Sequence, residues 1–339
     1  MDSRIKYLIK GLLFLIIFGI CFKFVNILLT PKYFYTNEWP TTATYAGFYQ
    51  MDRNTVDVIF LGSSHAVSAF SPQQLYDEYN ITSYNLGCEQ QNMLTSYFWL
   101  KEALRFQTPK VVVLDTYLLF EQQGVGPLNS IEGCTRKAFD FMKWSPVKIA
   151  AINKICEIDI SQNKLSYYFP NIRYHTRWDK LEEEDYNSLK MFTKYELKGY
   201  SRILEESGIN TYSPFEVEED GAKVEMLSTM EQGLIEIIEL CEDKGIELVL
   251  VKTPCIYESP EKYYATNEIA NNYDIPFYDF NVKMLYNDLN FEFAKDTLDE
   301  GHANENGAIK LTSYIGKVLV DEYDLTQHVD VQWEIDNIN

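Results

Sequence analysis

Basic side chains are scarce in this chain: 30 Lys and Arg stand against 50 Asp and Glu, a formal net charge of −20. So acidic a surface repels a phosphate backbone, which sets aside nucleic acid as a partner. The runs Glu182-Glu183-Glu184-Asp185 and Glu216 to Asp220 read as solvated loops or helix ends. Cysteine is present but unpatterned. Cys21, Cys88, Cys134, Cys156, Cys241 and Cys255 contain no CxxC pair and no metal-like spacing, so neither a zinc site nor a dense disulfide framework is supported. Buried free thiols are expected, and one disulfide is compatible with an exported domain. Histidine is limited to four residues, which keeps the search for a catalytic base short.

What is abundant is apolar: 46% of 339 residues, enough for a sizeable core in one large domain or two small ones. The strongest run lies near the start. Lys6 and Lys10 precede Gly11 to Phe22, and apolar character resumes after Lys23 through Leu29. Tyr7 to Leu29 reaches the ~20 residues of a membrane span if Lys10 and Lys23 snorkel to the interfaces. No A-x-A-like site closes the run, so an uncleaved anchor is expected over a signal peptide, spanning once with a cytoplasmic N-terminus. Residues 1–30 are then stub and anchor, and 31–55 a linker whose Trp39 and tyrosines suit a membrane interface. The remainder is extracytoplasmic.

From residue 56 strand and helix alternate. Asp57 to Leu61 is a short apolar run that stops at Gly62-Ser63-Ser64, small residues that permit a sharp turn. Ser71-Pro72 starts a helix, Ser83 to Leu86 is a second strand ending at Gly87, Met93 to Leu104 has helical spacing, and Lys110 to Thr116 is a third strand. The alternation resumes near Leu227 with a helix over Glu231 to Lys244, a strand over Gly245 to Lys252, a helix over Glu261 to Asn271, an edge-like strand at Ile275 to Asp279 and a last helix from about Asn306. The fold class is α/β: a parallel sheet of about five strands, formed by 56–117 and 227–325, with flanking helices. Residues 118–226 are too many for a structureless connection and are expected to form an inserted helical subdomain or lid, in which Ser145-Pro146 starts a helix. Residues 326–339 form a polar tail.

In an open parallel sheet, ligands collect at the carboxyl ends of the strands, where Ser64 falls. A serine needs a base to take its proton and a carboxylate to orient that base. His65 is the neighbour of Ser64, and adjacent side chains diverge; His328 lies in the tail. His302 follows Asp299 by three residues, in the loop before the last helix and at the same edge of the sheet as Ser64. A separate cluster, Tyr174-His175-Thr176-Arg177-Trp178, combines aromatic faces that stack on sugars with a guanidinium that grips carboxylate or phosphate. His175, Arg177 and Trp178 are therefore candidate substrate-binding residues; alternatively, Tyr174 and Trp178 pack the insertion and Arg177 pairs with an acid.

Gly62-Ser63-Ser64, the glycine after Asn85-Leu86 and the Asp299-x-x-His302 pair before a terminal helix resemble blocks I, II and V of the SGNH/GDSL hydrolase superfamily. The resemblance covers 56–117 and 227–323 and implies Ser64 as nucleophile, His302 as base and Asp299 as its orienting acid. The Ser64 and Gly87 amides would form the oxyanion hole, and no cofactor is needed. Ser63 stands where the family usually has aspartate, as in its membrane-anchored DltD-like branch, which works beside an integral-membrane O-acyltransferase on cell-envelope polymers. The block III asparagine is absent after the third strand, where Asp115-Thr116-Tyr117 stands; Thr116 or Tyr117 is its nearest substitute. The resemblance implies an ester hydrolase or O-acyltransferase acting on a cell-envelope glycan. The alternatives are a plain esterase or deacetylase and a non-catalytic glycan-binding scaffold.

Overall fold

Residues 3 to 29 are apolar and free of helix breakers, and they form one helix, α1 (Ser3–Leu29). A computed structural model describes residues 3–34, 39–187, 197–218 and 221–325. The expected polar tail with His328, and Glu219 and Asp220 of the second acidic run, lie outside the described residues. The chain forms two compact units: Met1–Lys32 with Ile160–Phe192, and Tyr33–Asp159 with Thr193–Asn339. In the first unit α1 has a mean hydropathy of 2.6 over its most apolar stretch, long and apolar enough to cross a membrane as an anchor or to serve as a signal sequence.

The second unit begins with α2 (Thr41–Phe48) and then enters the sheet through β1 (Val58–Leu61), α3 (Ser64–Ala69), α4 (Pro72–Tyr79), β2 (Ser83–Asn85), α5 (Met93–Ala103) and β3 (Val111–Asp115). Next come α6 (Glu132–Asp140) and α7 (Pro146–Ile158). In the first unit, α8 (Lys164–Tyr168), α9 (Asn171–Tyr174) and α10 (Glu183–Asn187) follow. The second unit is completed by α11 (Ser228–Lys244), β4 (Glu247–Lys252), α12 (Pro260–Asn272), β5 (Phe277–Asp279), α13 (Lys283–Asp288), α14 (Phe293–Asp296) and α15 (Glu305–Glu322).

The five strands are all parallel, in the order β2-β1-β3-β4-β5. Strands covered on both faces are mostly apolar, and β1 and β3 are buried at every residue, β3 ending in Asp115. Val58, Phe60, Val111, Val113, Val249 and Val251 join Ala66, Ala69, Leu75, Leu311, Ile315 and Leu319 of α3, α4 and α15 in one core. Their alternate neighbours face the opposite side, where α5 packs on α11. The helix starts read from sequence have their caps: the Ser71 hydroxyl accepts the Gln74 amide at 3.3 Å, and that of Ser145 accepts the Lys148 amide at 3.1 Å. The six cysteines are free thiols, Cys88, Cys134, Cys241 and Cys255 being buried.

Two expectations about organisation need correction. The segment 31–55 is not a plain linker: α2 lies within it, with Tyr45 and Phe48 fully buried. Tyr45 stacks on Trp99 at 3.8 Å and donates to Gln91 Oε1 at 2.8 Å, so tertiary contacts hold a threonine-rich helix that has no apolar periodicity of its own. Nor is 118–226 one subdomain. Residues 118–159 remain with the sheet, 160–187 group with α1, and the chain after residue 197 returns along the sheet, with Asn85 N–H on Lys198 O and Ser201 N–H on Val67 O at 2.9 Å each.

Candidate active site

Because strand order reverses between β1 and β3, a crevice opens at their carboxyl ends. The turn leaving β1 is set by Gly62, whose φ of +143° and approach to Asp115 exclude a side chain: a Cβ would lie 2.5 Å from that of Asp115. Ser63 caps α3, accepting the His65 amide at 3.2 Å, and Ser64 is the first residue of the helix. On the other side of the crevice, Thr297 and Ala303 form an antiparallel bridge, and Leu298 N–H donates to His302 O at 2.8 Å. Within this tight loop the Asp299 carboxylate accepts the amides of Gly301 at 3.0 Å and His302 at 2.9 Å.

Residues 238 apart in sequence then meet: Ser64 Oγ lies 2.8 Å from His302 Nε2. His302 Nδ1 lies 2.8 and 3.0 Å from the two Asp299 carboxylate oxygens. With the Nδ1 proton donated to Asp299, Nε2 is left to accept from the serine hydroxyl. Partial burial alone would raise the Asp299 carboxyl, but the hydrogen bonds and charge of His302, with the two loop amides, hold it well below the usual carboxylate range. Asp299 therefore stays ionised. The arrangement can remove a proton from Ser64 and carry the resulting imidazolium beside a fixed negative charge.

Aromatic rings surround the base, which the sequence does not foretell. His65 Nδ1 pairs with Thr253 Oγ1 at 3.0 Å, and its ring lies 4.6 Å from that of His302 and 3.7 Å from that of Tyr117. His65 thus does not diverge from the site; it packs beside the base, and burial followed by the charge of His302 pushes its own pKa well down, against the pull of Asp299. Gly301 permits this packing, since a Cβ there would lie 2.8 Å from the His65 ring and 2.6 Å from Cys255 Sγ. Half-buried Trp39, from the segment read as a linker, places its ring 4.9 Å from that of His302.

Asp115, at the end of β3, sets a carboxylate against Ser63. Asp115 Oδ2 accepts the Ser63 hydroxyl at 2.7 Å and its amide at 3.2 Å, and Oδ1 accepts the Tyr117 amide at 3.1 Å. Burial raises Asp115 to about 6 against the pull of these donors and of Lys252. An acid raised above its unfolded value favours the folded state below that unfolded value, and the advantage is lost as pH rises towards about 6. In urea unfolding of the full-length protein in detergent, Asp115→Asn is expected to remove a falling component of stability between pH 4 and 6, no more than about 3 kcal/mol. Parallel pH slopes in the two proteins would refute this.

The expected oxyanion donors fare unequally. The Ser64 amide has no acceptor among the described residues. The Gly87 amide donates to Asn85 Oδ1 at 3.1 Å, and Thr116 directs both its amide and its hydroxyl to Val251 O, at 2.9 and 3.0 Å. As arranged, Gly87 and Thr116 serve the fold and only Ser64 offers an open N–H. Nor do His175, Arg177 and Trp178 gather as a binding cluster. Arg177 donates to Leu29 O at 2.7 Å and pairs with Asp185 at 3.0 Å, His175 Nδ1 lies 3.2 Å from Ile172 O, and Trp178 is 70% exposed. Among the described residues no group of three or more His, Cys, Asp or Glu is placed to hold a metal ion. No protein-family model matches the chain, and no curated protein matches it either.

Proposed function

We propose that this chain is an SGNH-like serine esterase or O-acyltransferase, held by α1 with its sheet domain outside the cytoplasm and acting on a cell-envelope glycan. The observation that carries the reading is the Ser64–His302–Asp299 chain of hydrogen bonds at the carboxyl edge of a parallel sheet. Ser64 Oγ attacks an acyl carbonyl as His302 Nε2 takes its proton, and Asp299 steadies the imidazolium. The Trp39 ring beside that imidazolium adds a cation–π attraction of about 1 kcal/mol. The Ser64 amide faces the developing oxyanion. His302 returns the proton to the departing alcohol, leaving acyl-Ser64, which water or a glycan hydroxyl then resolves with His302 as base. The likeness to the DltD-like branch supports a glycan acceptor and an integral-membrane O-acyltransferase as donor.

Incubation with an activated acetyl ester, followed by peptide mass spectrometry, should find one acetyl group on the peptide bearing Ser64; its absence ends the reading. A glycan added in the same reaction distinguishes the acceptors, giving acetylated glycan for a transferase and free acetate for an esterase. A second reading, a non-catalytic scaffold, draws on the commitment of Gly87 and Thr116 to other partners. Each missing oxyanion donor costs about 100- to 1,000-fold. That reading predicts no acyl-Ser64 at all.

A further inference from the structure

Within residues 160–186 several polar groups are turned inward while a set of large apolar side chains is left facing outward. Inward, the Asn171 amide donates to Asn26 Oδ1 at 3.0 Å, Arg177 donates to Leu29 O at 2.7 Å, and Lys32 and Arg177 share Asp185, which is 4% exposed. Each of these contacts involves the last turns of α1 or the residues just beyond it. Outward, Ile160 is 96% exposed, Leu165 61%, Phe169 47%, Ile172 45%, Trp178 70% and Tyr186 53%. Phe169 packs edge-on against Phe22 of α1 at 6.2 Å.

The depth of this face follows from helix length. The 27 residues of α1 span about 40 Å, against a hydrocarbon core of about 30 Å. With Lys10 and Lys23 reaching for opposite interfaces, the turns after Lys23 approach headgroup level, where tryptophan and tyrosine are favoured. An apolar face presented at that depth gains by burial at the boundary of headgroups and acyl chains. We infer that residues 160–187 are seated in the membrane interface, with the outward faces of α8 and α9 and the Trp178 ring among lipid headgroups and upper acyl chains. The inference rests on the reading of α1 as a retained anchor. Lipid is the occupant because the face continues the lipid-facing surface of α1. Lys164, Arg173 and Lys180 are slightly outnumbered by Asp179, Glu182, Glu183 and Glu184, so apolar contact drives the seating and zwitterionic lipid suffices.

The test uses the full chain in nanodiscs of phosphatidylcholine brominated near the top of its acyl chains, with unbrominated nanodiscs as reference. The Trp178 emission, isolated from the other four tryptophans as wild type minus Trp178→Phe, should lose most of its intensity to the bromines, equally at low and high salt. Unchanged emission with quenching by aqueous acrylamide would overturn the inference and leave this face to a protein partner. Alkaline carbonate washing of native membranes separates the two readings. A chain released and shortened at its N-terminus overturns the anchor and the inference together, whereas a retained, full-length chain with unquenched Trp178 overturns the inference alone.

Discussion

Ser64→Ala is expected to abolish labelling by a fluorophosphonate and to slow hydrolysis of an activated acetyl ester by about 10⁴-fold or more, the scale on which a serine and its base act as one unit. His302→Ala should fall as far, and the double variant no further, because once either partner is gone the other has nothing to do. Trp39→Leu removes only the attraction of a ring 4.9 Å from the His302 ring and should cost about fivefold. The ordering is the informative part: a protein whose labelling persists equally in Ser64→Ala is not using this serine. The Ser64 hydroxyl is 8% exposed with its residue and bonded at 2.8 Å to His302, so substitution by alanine removes the reacting oxygen without opening a large void.

The second large effect is on stability. Lys252 ends β4, and its ammonium lies 3.0 Å from Glu258 Oε2 with the two side chains 0% and 1% exposed. Asp115 ends β3 and Asp279 ends β5, each raised by burial to about 6, and the charge of Lys252 draws both back down. Burial likewise disfavours the Lys252 ammonium, but the charges of Glu258 and Asp279 outweigh it and its pKa is raised. Lys252→Met leaves Glu258 with only Lys262, at 3.7 Å. Removing one partner of a buried pair costs about 3–5 kcal/mol, and Lys252→Met with Glu258→Leu should recover much of that. Without the lysine the buried acids protonate more readily, so the loss measured in urea should shrink from pH 7.5 to pH 5. A pH-independent loss would mean that Lys252 matters for packing alone.

The sheet was legible because central parallel strands are covered on both faces and read as near-continuous apolar runs, as Val111 to Leu114 and Leu248 to Val251 do. Ser64 and His302 were legible through small residues after a strand and through the spacing of an acid and a histidine in one loop. The role of Asp115 was hidden because its partners, Ser63 and Lys252, come from other strands. Trp39 and α2 were hidden for a different reason. Thr41 to Phe48 is buried at nearly every residue, so it shows neither an apolar stripe nor a polar one, and Trp39 and Tyr45 read equally well as membrane-interface residues. The cluster at 174–178 had the composition of a binding site, but Arg177 spends its donors on Leu29 and Asp185. Composition does not reveal which donors are already committed.

The placing of the buried carboxylate on β3, with a serine in the β1 turn, limits what either position can accept. Ser63→Asp alone would set a second carboxylate against Asp115 in a buried turn where their present contact is 2.7 Å, and like charges there repel without solvent to screen them. Loss of Asp115 alone would strand the Ser63 hydroxyl and the Tyr117 amide without their acceptor. The turn therefore accommodates one buried acid shared between positions 63 and 115, neither two nor none.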